Sequence, residues 1–179
     1  SAMSESVADL GDVGTRGGEF IPGQMEAAFT ADAQKVRSAV SELREYAASR
    51  SKVLIFSCGV IHAGVSGGGW WGQGEARAHV ATVTGETPEI LRASTISRFR
   101  DGELKYLINI NVLTEGFDAP NIDCIALLRA TQSPGLYYQM VGRGLRNNPG
   151  KLNCLVLDYG GNVERHGTVE RIIPTESDG

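Results

Sequence analysis

Apolar residues recur at two periods along this 179-residue chain. Val36, Ala39, Val40, Leu43, Tyr46 and Ala47 stand at i, i+3, i+4, i+7, i+10 and i+11, a one-sided stripe that predicts a helix. Val53-Leu54-Ile55-Phe56 is instead a short, unbroken, β-rich run, the pattern of a strand covered on both faces. Runs of the same kind recur at 79–83, 106–113, 124–128 and 154–157. Helix signals lie between them. Thr87-Pro88-Glu89 offers a cap hydroxyl, a proline for the first position and an acid in the first turn, and predicts a helix to about Arg100 with Asp101-Gly102 as its stop. Ser133-Pro134 opens another helix the same way, ending near Arg146 ahead of Asn147-Asn148-Pro149-Gly150. Strands alternating with helices predict right-handed βαβ units and an α/β fold whose parallel sheet is covered on both faces.

Two stretches break this pattern. Residues 4–24 are polar and Gly-rich with no sustained period, and read as a linker or an irregular leading segment. Residues 59–76 crowd Gly59, Gly64, Gly67, Gly68, Gly69, Gly72 and Gly74 around Trp70 and Trp71. Each interior glycine costs a helix about 0.8–1 kcal/mol, so at most a short, poor helix with a loop behind it is expected there. The expected organisation is an expression scar at 1–3, an irregular segment at 4–31, one folded domain at 32–174 and a tail at 175–179. Together these suggest a piece excised from a longer protein.

Composition narrows the class. Hydrophobic residues make up 41% and charged residues 21%, ordinary globular proportions that argue against disorder of the whole chain. No apolar run approaches the roughly 18–20 residues of a membrane span, and no basic-then-apolar leader opens the chain. Cys58, Cys124 and Cys154 are odd in number, far apart, and in or beside apolar runs. They read as buried small hydrophobes of a reducing, cytoplasmic setting. His62, His79 and His166 share no ligand spacing with them, so no metal site is expected. The net charge is −4, yet Arg129 to Arg171 holds six bases against three acids, +3, leaving −7 for the remainder. That asymmetry fits either a local anionic partner or a solvated face with chance clustering.

In an open parallel sheet, ligands bind beyond the carboxyl ends of the strands. Ser57, Thr84-Gly85, the segment Thr114–Pro120, Arg129-Ala130-Thr131 and Asp158–Asn162 each follow a predicted strand, so all five groups would share one edge. In the helix 134–146, Gln139, Arg143 and Arg146 lie within about 60° of one another at 100° per residue. Leu136, Tyr137, Met140, Val141 and Leu145 take the opposite arc. Arginine forks match phosphate oxygens, so this face suits a phosphate; otherwise its arginines pair with acids elsewhere. Gly142 and Gly144 are unfavourable inside a helix and suit close approach by a backbone or ligand. Thr114-Glu115-Gly116 is either a cradle for a backbone phosphate or a plain βα turn. Trp70 and Trp71 could stack on bases or simply pack locally. Gly67, Gly69 and Gly72 satisfy G-x-G-x-x-G formally, but without the strand and helix that give that motif meaning. No G-x-x-x-x-G-K-[ST] and no acidic metal box occurs, so the chain alone lacks the usual phosphate cradle and metal carboxylates of an ATPase.

Read in order, these pieces resemble the second RecA-like domain of superfamily 2 helicases. KVLIFSCGVIHA (52–63) is similar to motif IV, and VTGETP (83–88) with Phe99-Arg100-Asp101-Gly102 to the intervening segment. LTEGFDAP (113–120) is similar to motif V and QMVGRGLR (139–146) to motif VI, Q-x-x-G-R-x-x-R. LVLDYGGNVERHG (155–167) and VADLGDVGTRGGEF (7–20) narrow the likeness to DEAD/DEAH-box proteins of the RadD-like repair helicase kind, with restriction-type helicase subunits nearby. Residues 59–76 depart from that family, which has a longer, regular helix after motif IV.

The resemblance implies a RecA-like three-layer sandwich acting as the second motor domain of an ATP-dependent helicase or translocase. Arg143 and Arg146 would reach the γ-phosphate of an ATP held by another domain, and Gln139 would help organise the cleft. Gly116, Asp118 and Gly142 would complete the nucleotide side, with Asp118 coupling it to the strand. Ser57, Thr84, Gly85, Thr114, Glu115 and the amide of Gly116 would meet the nucleic-acid backbone. ATP and Mg2+ would serve the intact two-domain protein, with none held tightly by this piece, which alone would be inactive. The implied partners are an N-terminal RecA-like ATPase domain and DNA, single-stranded or duplex, ahead of RNA, with no membrane. Two rivals stand beside this: a non-catalytic RecA-like interaction module, and a free-standing α/β enzyme acting on a small phosphorylated substrate.

Overall fold

A computed structural model describes residues 9–59, 79–112, 121–143 and 154–167. In chain order the described elements are β1 (Thr15–Arg16), β2 (Glu19–Phe20), α1 (Pro22–Thr30), α2 (Ala33–Ala47), β3 (Val53–Ser57), β4 (Val80–Thr84), α3 (Glu89–Arg100), β5 (Tyr106–Ile110), β6 (Cys124–Leu128), α4 (Pro134–Gly142), β7 (Leu155–Asp158) and α5 (Asn162–His166). Five strands form one sheet in the order β4-β5-β3-β6-β7, and every pairing in it is parallel. The expected parallel α/β architecture is therefore present.

The continuous apolar runs become central strands because alternate residues serve opposite faces. Val53, Ile55, Tyr106, Ile108, Cys124, Ala126, Leu128 and Leu157 join Met25 and Phe29 of α1 and Val40, Leu43 and Ala47 of α2 in one core. Leu54, Phe56, Leu107, Ile125 and Leu127 join Ile96 and Phe99 of α3 and Tyr137, Met140 and Val141 of α4 in the other. Two helical layers thus enclose the sheet. Asp32 caps α2, accepting from the amides of Gln34 and Lys35 at 3.1 and 3.2 Å.

The irregular segment expected over 4–31 is corrected at 15–30. Thr15-Arg16 and Glu19-Phe20 pair across Gly17-Gly18, whose φ values of 62° and 81° fit the two-residue hairpin turn that needs positive φ twice. Helix α1 follows, with Pro22 in its first turn and no side-chain cap. Its formation rests on burial: Phe20, Met25 and Phe29 are enclosed in the core below the sheet. A second correction concerns α3. Thr87 does not cap it; the N-cap is Pro88, without a side-chain bond, and the Thr87 hydroxyl instead accepts from the Thr84 amide at 2.9 Å. Ser133 does cap α4, accepting from the Leu136 amide at 3.1 Å. The helix expected to run to about Arg146 ends at Gly142, with Arg143 as its C-cap donating to the Val141 carbonyl. The stretch 64–74 with both tryptophans and Arg146 itself lie outside the described residues.

Candidate functional site

The parallel register fixes where the strands end. Ser57 stands opposite Ile110 and Leu128, Thr84 opposite Ile110, and Asp158 opposite Leu127. The groups after β3, β4, β6 and β7 consequently share one edge, as the sequence predicts. The strand order reverses between β3 and β6, whose following strands, β4 and β7, lie on opposite sides, and a crevice is expected above that pair.

At the exit of β3 the chain packs closely on itself. Ser57 and Cys58 are fully buried. Gly59 takes a left-handed φ of 74°, and a methyl group there would meet the Glu26 carboxyl of α1 at about 2.0 Å. Burial pushes the Cys58 thiol up to about 12, with Arg129 opposing and Glu26 reinforcing the shift. Burial pushes Arg129 down from its ordinary value, while Glu19 and Cys58 push it back up. Its Nε is buried with no hydrogen-bond partner among the described residues.

Glu19 brings the β1–β2 hairpin onto the segment after β6. Its carboxylate accepts from the Thr131 hydroxyl, from the Gln132 amide at 2.8 Å and from the Phe20 amide at 2.9 Å. Burial raises the Glu19 pKa, yet these bonds and Arg129 leave it below its ordinary value.

From the other side comes the turn after β7. Asp158, buried, accepts from the Gly160 amide at 3.1 Å, the Asn162 side chain at 3.0 Å and the Val163 amide at 2.8 Å. Asn162 in turn donates to the Arg129 carbonyl at 2.8 Å and accepts from the Thr131 amide at 2.9 Å. His166 bonds the Thr131 carbonyl at 2.7 Å and stacks on Tyr137 of α4 at 5.6 Å between ring centres. Arg165 lies 5.1 Å over the Phe20 ring and reaches the carbonyls of Thr131 and Gly160. Sequence reasoning placed Asn162 in the group after the last predicted strand but gave Glu19, Arg165 and His166 no role. The signal available was an aspartate directly after a predicted strand, then Tyr159, two glycines and an asparagine.

The predicted site residues divide as follows. Tyr137, Met140 and Val141 are buried, Gln139 is exposed and Arg143 half-exposed, so α4 packs one face and presents the other. A methyl group on Gly142 would meet nothing within 4 Å. The Ser57 side chain is enclosed. Thr84 is locked in its own turn: its hydroxyl accepts from the Glu86 amide at 3.1 Å and its carbonyl from Arg92 Nη2 at 3.2 Å. Gly85 is exposed beside it. Thr114, Glu115, Gly116, Asp118 and Arg146 lie outside the described residues. Among the described residues no cluster of three His, Cys, Asp or Glu side chains could hold a metal. None of the described helices is long and apolar enough to cross a membrane.

Residues 34–148 match the family described as the helicase conserved C-terminal domain. The protein named mitochondrial ATP-dependent helicase irc3 of Schizosaccharomyces pombe is 42% identical over 122 residues, covering 68% of this chain and 20% of that protein. The chain therefore spans about a fifth of that relative's length. The fold is shared with the E. coli DEAD-box protein SrmB, at a TM-score of 0.61 and 18% identity over 78% of this chain and 81% of that one. It is shared equally with S. cerevisiae Dbp5 bound to RNA and ADP BeF3, at a TM-score of 0.59 and 20% identity over 79% of this chain and 37% of that one. The RecA-like sandwich is thus found together with a family match over residues 34–148, and this chain belongs to the helicase conserved C-terminal domain family.

Proposed function

We propose that this chain is the second motor domain of an ATP-dependent nucleic-acid helicase or translocase. The observation that carries this is α4, which buries Tyr137, Met140 and Val141 while Gln139 is exposed and Arg143, its C-cap, is half-exposed, inside a family match. In phosphoryl transfer, charge shifts among phosphate oxygens, and guanidinium groups supplied by a second domain stabilise it only when the cleft closes. Arg143 and Arg146 are assigned that task. Gln139, Gly142, Gly116 and Asp118 are assigned to the same cleft. ATP and Mg2+ would be held by an N-terminal RecA-like domain whose carboxylates complete the metal site. The track is assigned to Thr84, Gly85, Thr114 and Glu115, with Ser57 supporting them from below. DNA is the proposed track, although the solved relative Dbp5 is bound to RNA. The domain is assigned to 32–174, with the hairpin and α1 contributing to its core.

Arginine fingers contribute about 10³–10⁵ in rate where measured. In the full-length protein, Arg143→Ala should leave ATP binding nearly intact and lower hydrolysis on that scale. Hydrolysis close to wild type in Arg143→Ala and in Arg146→Ala would refute the assignment.

A further inference from the structure

We infer that Glu19 and Thr131 are positioning residues for α4, and that the leading β1–β2 hairpin thereby sets the helix that carries Arg143. The inference deepens the proposed reading and rests on it.

Thr131 is fully buried, and each of its polar groups is engaged. Its amide donates to Asn162 and its carbonyl accepts from His166 and Arg165. Its hydroxyl donates to Glu19 and accepts from the Ser133 amide at 3.0 Å. Glu19 also takes the Gln132 amide. Ser133, the next residue, caps α4. The start of α4 is therefore tied to Thr131, which is gripped from two directions, while Tyr137 packs in the core. One grip comes from α5, next in the fold after β7. The other comes from a two-residue strand 112 positions earlier in the chain.

The helix so held is weak by itself. It is nine residues long, includes Gly135 and Gly142, and has no acid in its first turn and no base in its last. A helix of this length does not stand without tertiary anchors. Its far end lies about 13 Å from its first turn at 1.5 Å per residue, so a small rotation at Thr131 displaces Arg143 appreciably. Misplacement of a reacting group by 1 Å can cost ~10²-fold in rate. The hydrogen bonds of Glu19 thus act on catalysis through geometry, while Glu19 itself touches no reactant.

The test uses two measurements. In the full-length protein, Glu19→Ala and Thr131→Val should each lower kcat for ATP about 10- to 100-fold, with the KM for ATP nearly unchanged. Thr131→Ser, which keeps the hydroxyl, should restore most of the rate. In the 179-residue chain, Glu19→Ala should speed amide exchange from Gln132 through α4 and leave β3 and β6 protected. Wild-type kcat in both variants, or a uniform rise in exchange across the sheet, would overturn the inference. If Glu19→Ala fails to fold, the pair Thr131→Val and Thr131→Ser decides alone: equal rates in the two overturn it. Failure of the parent reading looks different. There Arg143→Ala would hydrolyse normally, while exchange in α4 would still respond to Glu19.

Discussion

A methyl group added to Gly160 gives the sharpest test of how closely β6 and β7 approach at the functional edge. Built on the existing backbone, it would lie 2.1 Å from the Arg129 carbonyl oxygen, 2.7 Å from the carbon of that carbonyl and 2.9 Å from the Asn162 side-chain nitrogen. Real contacts of this kind do not fall below 3.0 Å, and the nearest atom is backbone, which cannot rotate aside. Gly160 is not in the left-handed region, so the effect is one of space rather than dihedral strain. Separation must break the bond from Asn162 to the Arg129 carbonyl, leaving a buried acceptor unpaired at a cost of about 1–3 kcal/mol. Overpacking adds about 1–3 kcal/mol. The sum, about 4 kcal/mol, is a large share of the 5–15 kcal/mol that ordinarily holds a domain folded. In urea denaturation followed by far-ultraviolet circular dichroism, Gly160→Ala should lower the midpoint by about 1.5 M at a typical slope. Gly161→Ala serves as the comparison. Its φ of 68° is strained for alanine, but its nearest neighbour among the described residues is the tip of Arg165 at 3.8 Å, so its loss should be about 1–2 kcal/mol. A loss below 1 kcal/mol in Gly160→Ala would show that the two strand exits do not approach as described.

Gly142→Ala should do the opposite. With nothing within 4 Å and helical dihedrals, the methyl group should stabilise the 179-residue chain by about 0.5–1 kcal/mol in the same titration. If an external ligand approaches there, ATP hydrolysis by the full-length variant should fall, and destabilisation of the isolated chain would refute the open surface at Gly142. Cys58 and Cys124 are buried, with thiols raised by burial to about 12, whereas Cys154 is only half-buried. Iodoacetamide at neutral pH should therefore label Cys154 first, and rapid modification of either buried thiol in the folded chain, read by mass spectrometry, would contradict their packing.

The elements that were legible in the sequence are those whose local chemistry and tertiary role agree. Cys124–Leu128 is a strand over the same five residues that the apolar run marks, because it sits centrally and is covered on both faces. The run 106–113 is shortened to 106–110 because Asn111 takes a φ of 51°, which ends the ladder. The final strand shifts by one residue, leaving out Cys154 and taking in Asp158, whose carboxylate is needed to close the following turn. The hairpin and α1 were not legible. Two-residue strands carry no period, and α1 follows from the burial of Met25 and Phe29 against strands far along the chain. The same limit hid the Glu19 to Thr131 contact. A carboxylate between Gly18 and Phe20 gives no local hint that its partners lie after β6.

The structure also redistributes the charge that pointed to an anionic partner. Of the six bases between Arg129 and Arg171, Arg129 is largely buried and Arg165 is spent on the Phe20 ring and on backbone carbonyls. Of the three acids, Asp158 is buried within its own turn. Setting these aside leaves Arg143, Arg146, Lys151 and Arg171 against Glu164 and Glu170, so 4 − 2 = +2 in place of 6 − 3 = +3. The total hardly changes, but its distribution does. Residues 143–151 hold three of those four bases and no acid, immediately after the helix that Thr131 anchors. Charges turned inward bear a desolvation cost and return it as fixed geometry. By sequence, the bases that follow α4 are of the type that binds phosphate oxygens. The edge thus combines a half tied together by the hydrogen bonds of Glu19, Asp158, Asn162 and His166 with a following stretch that is basic in sequence.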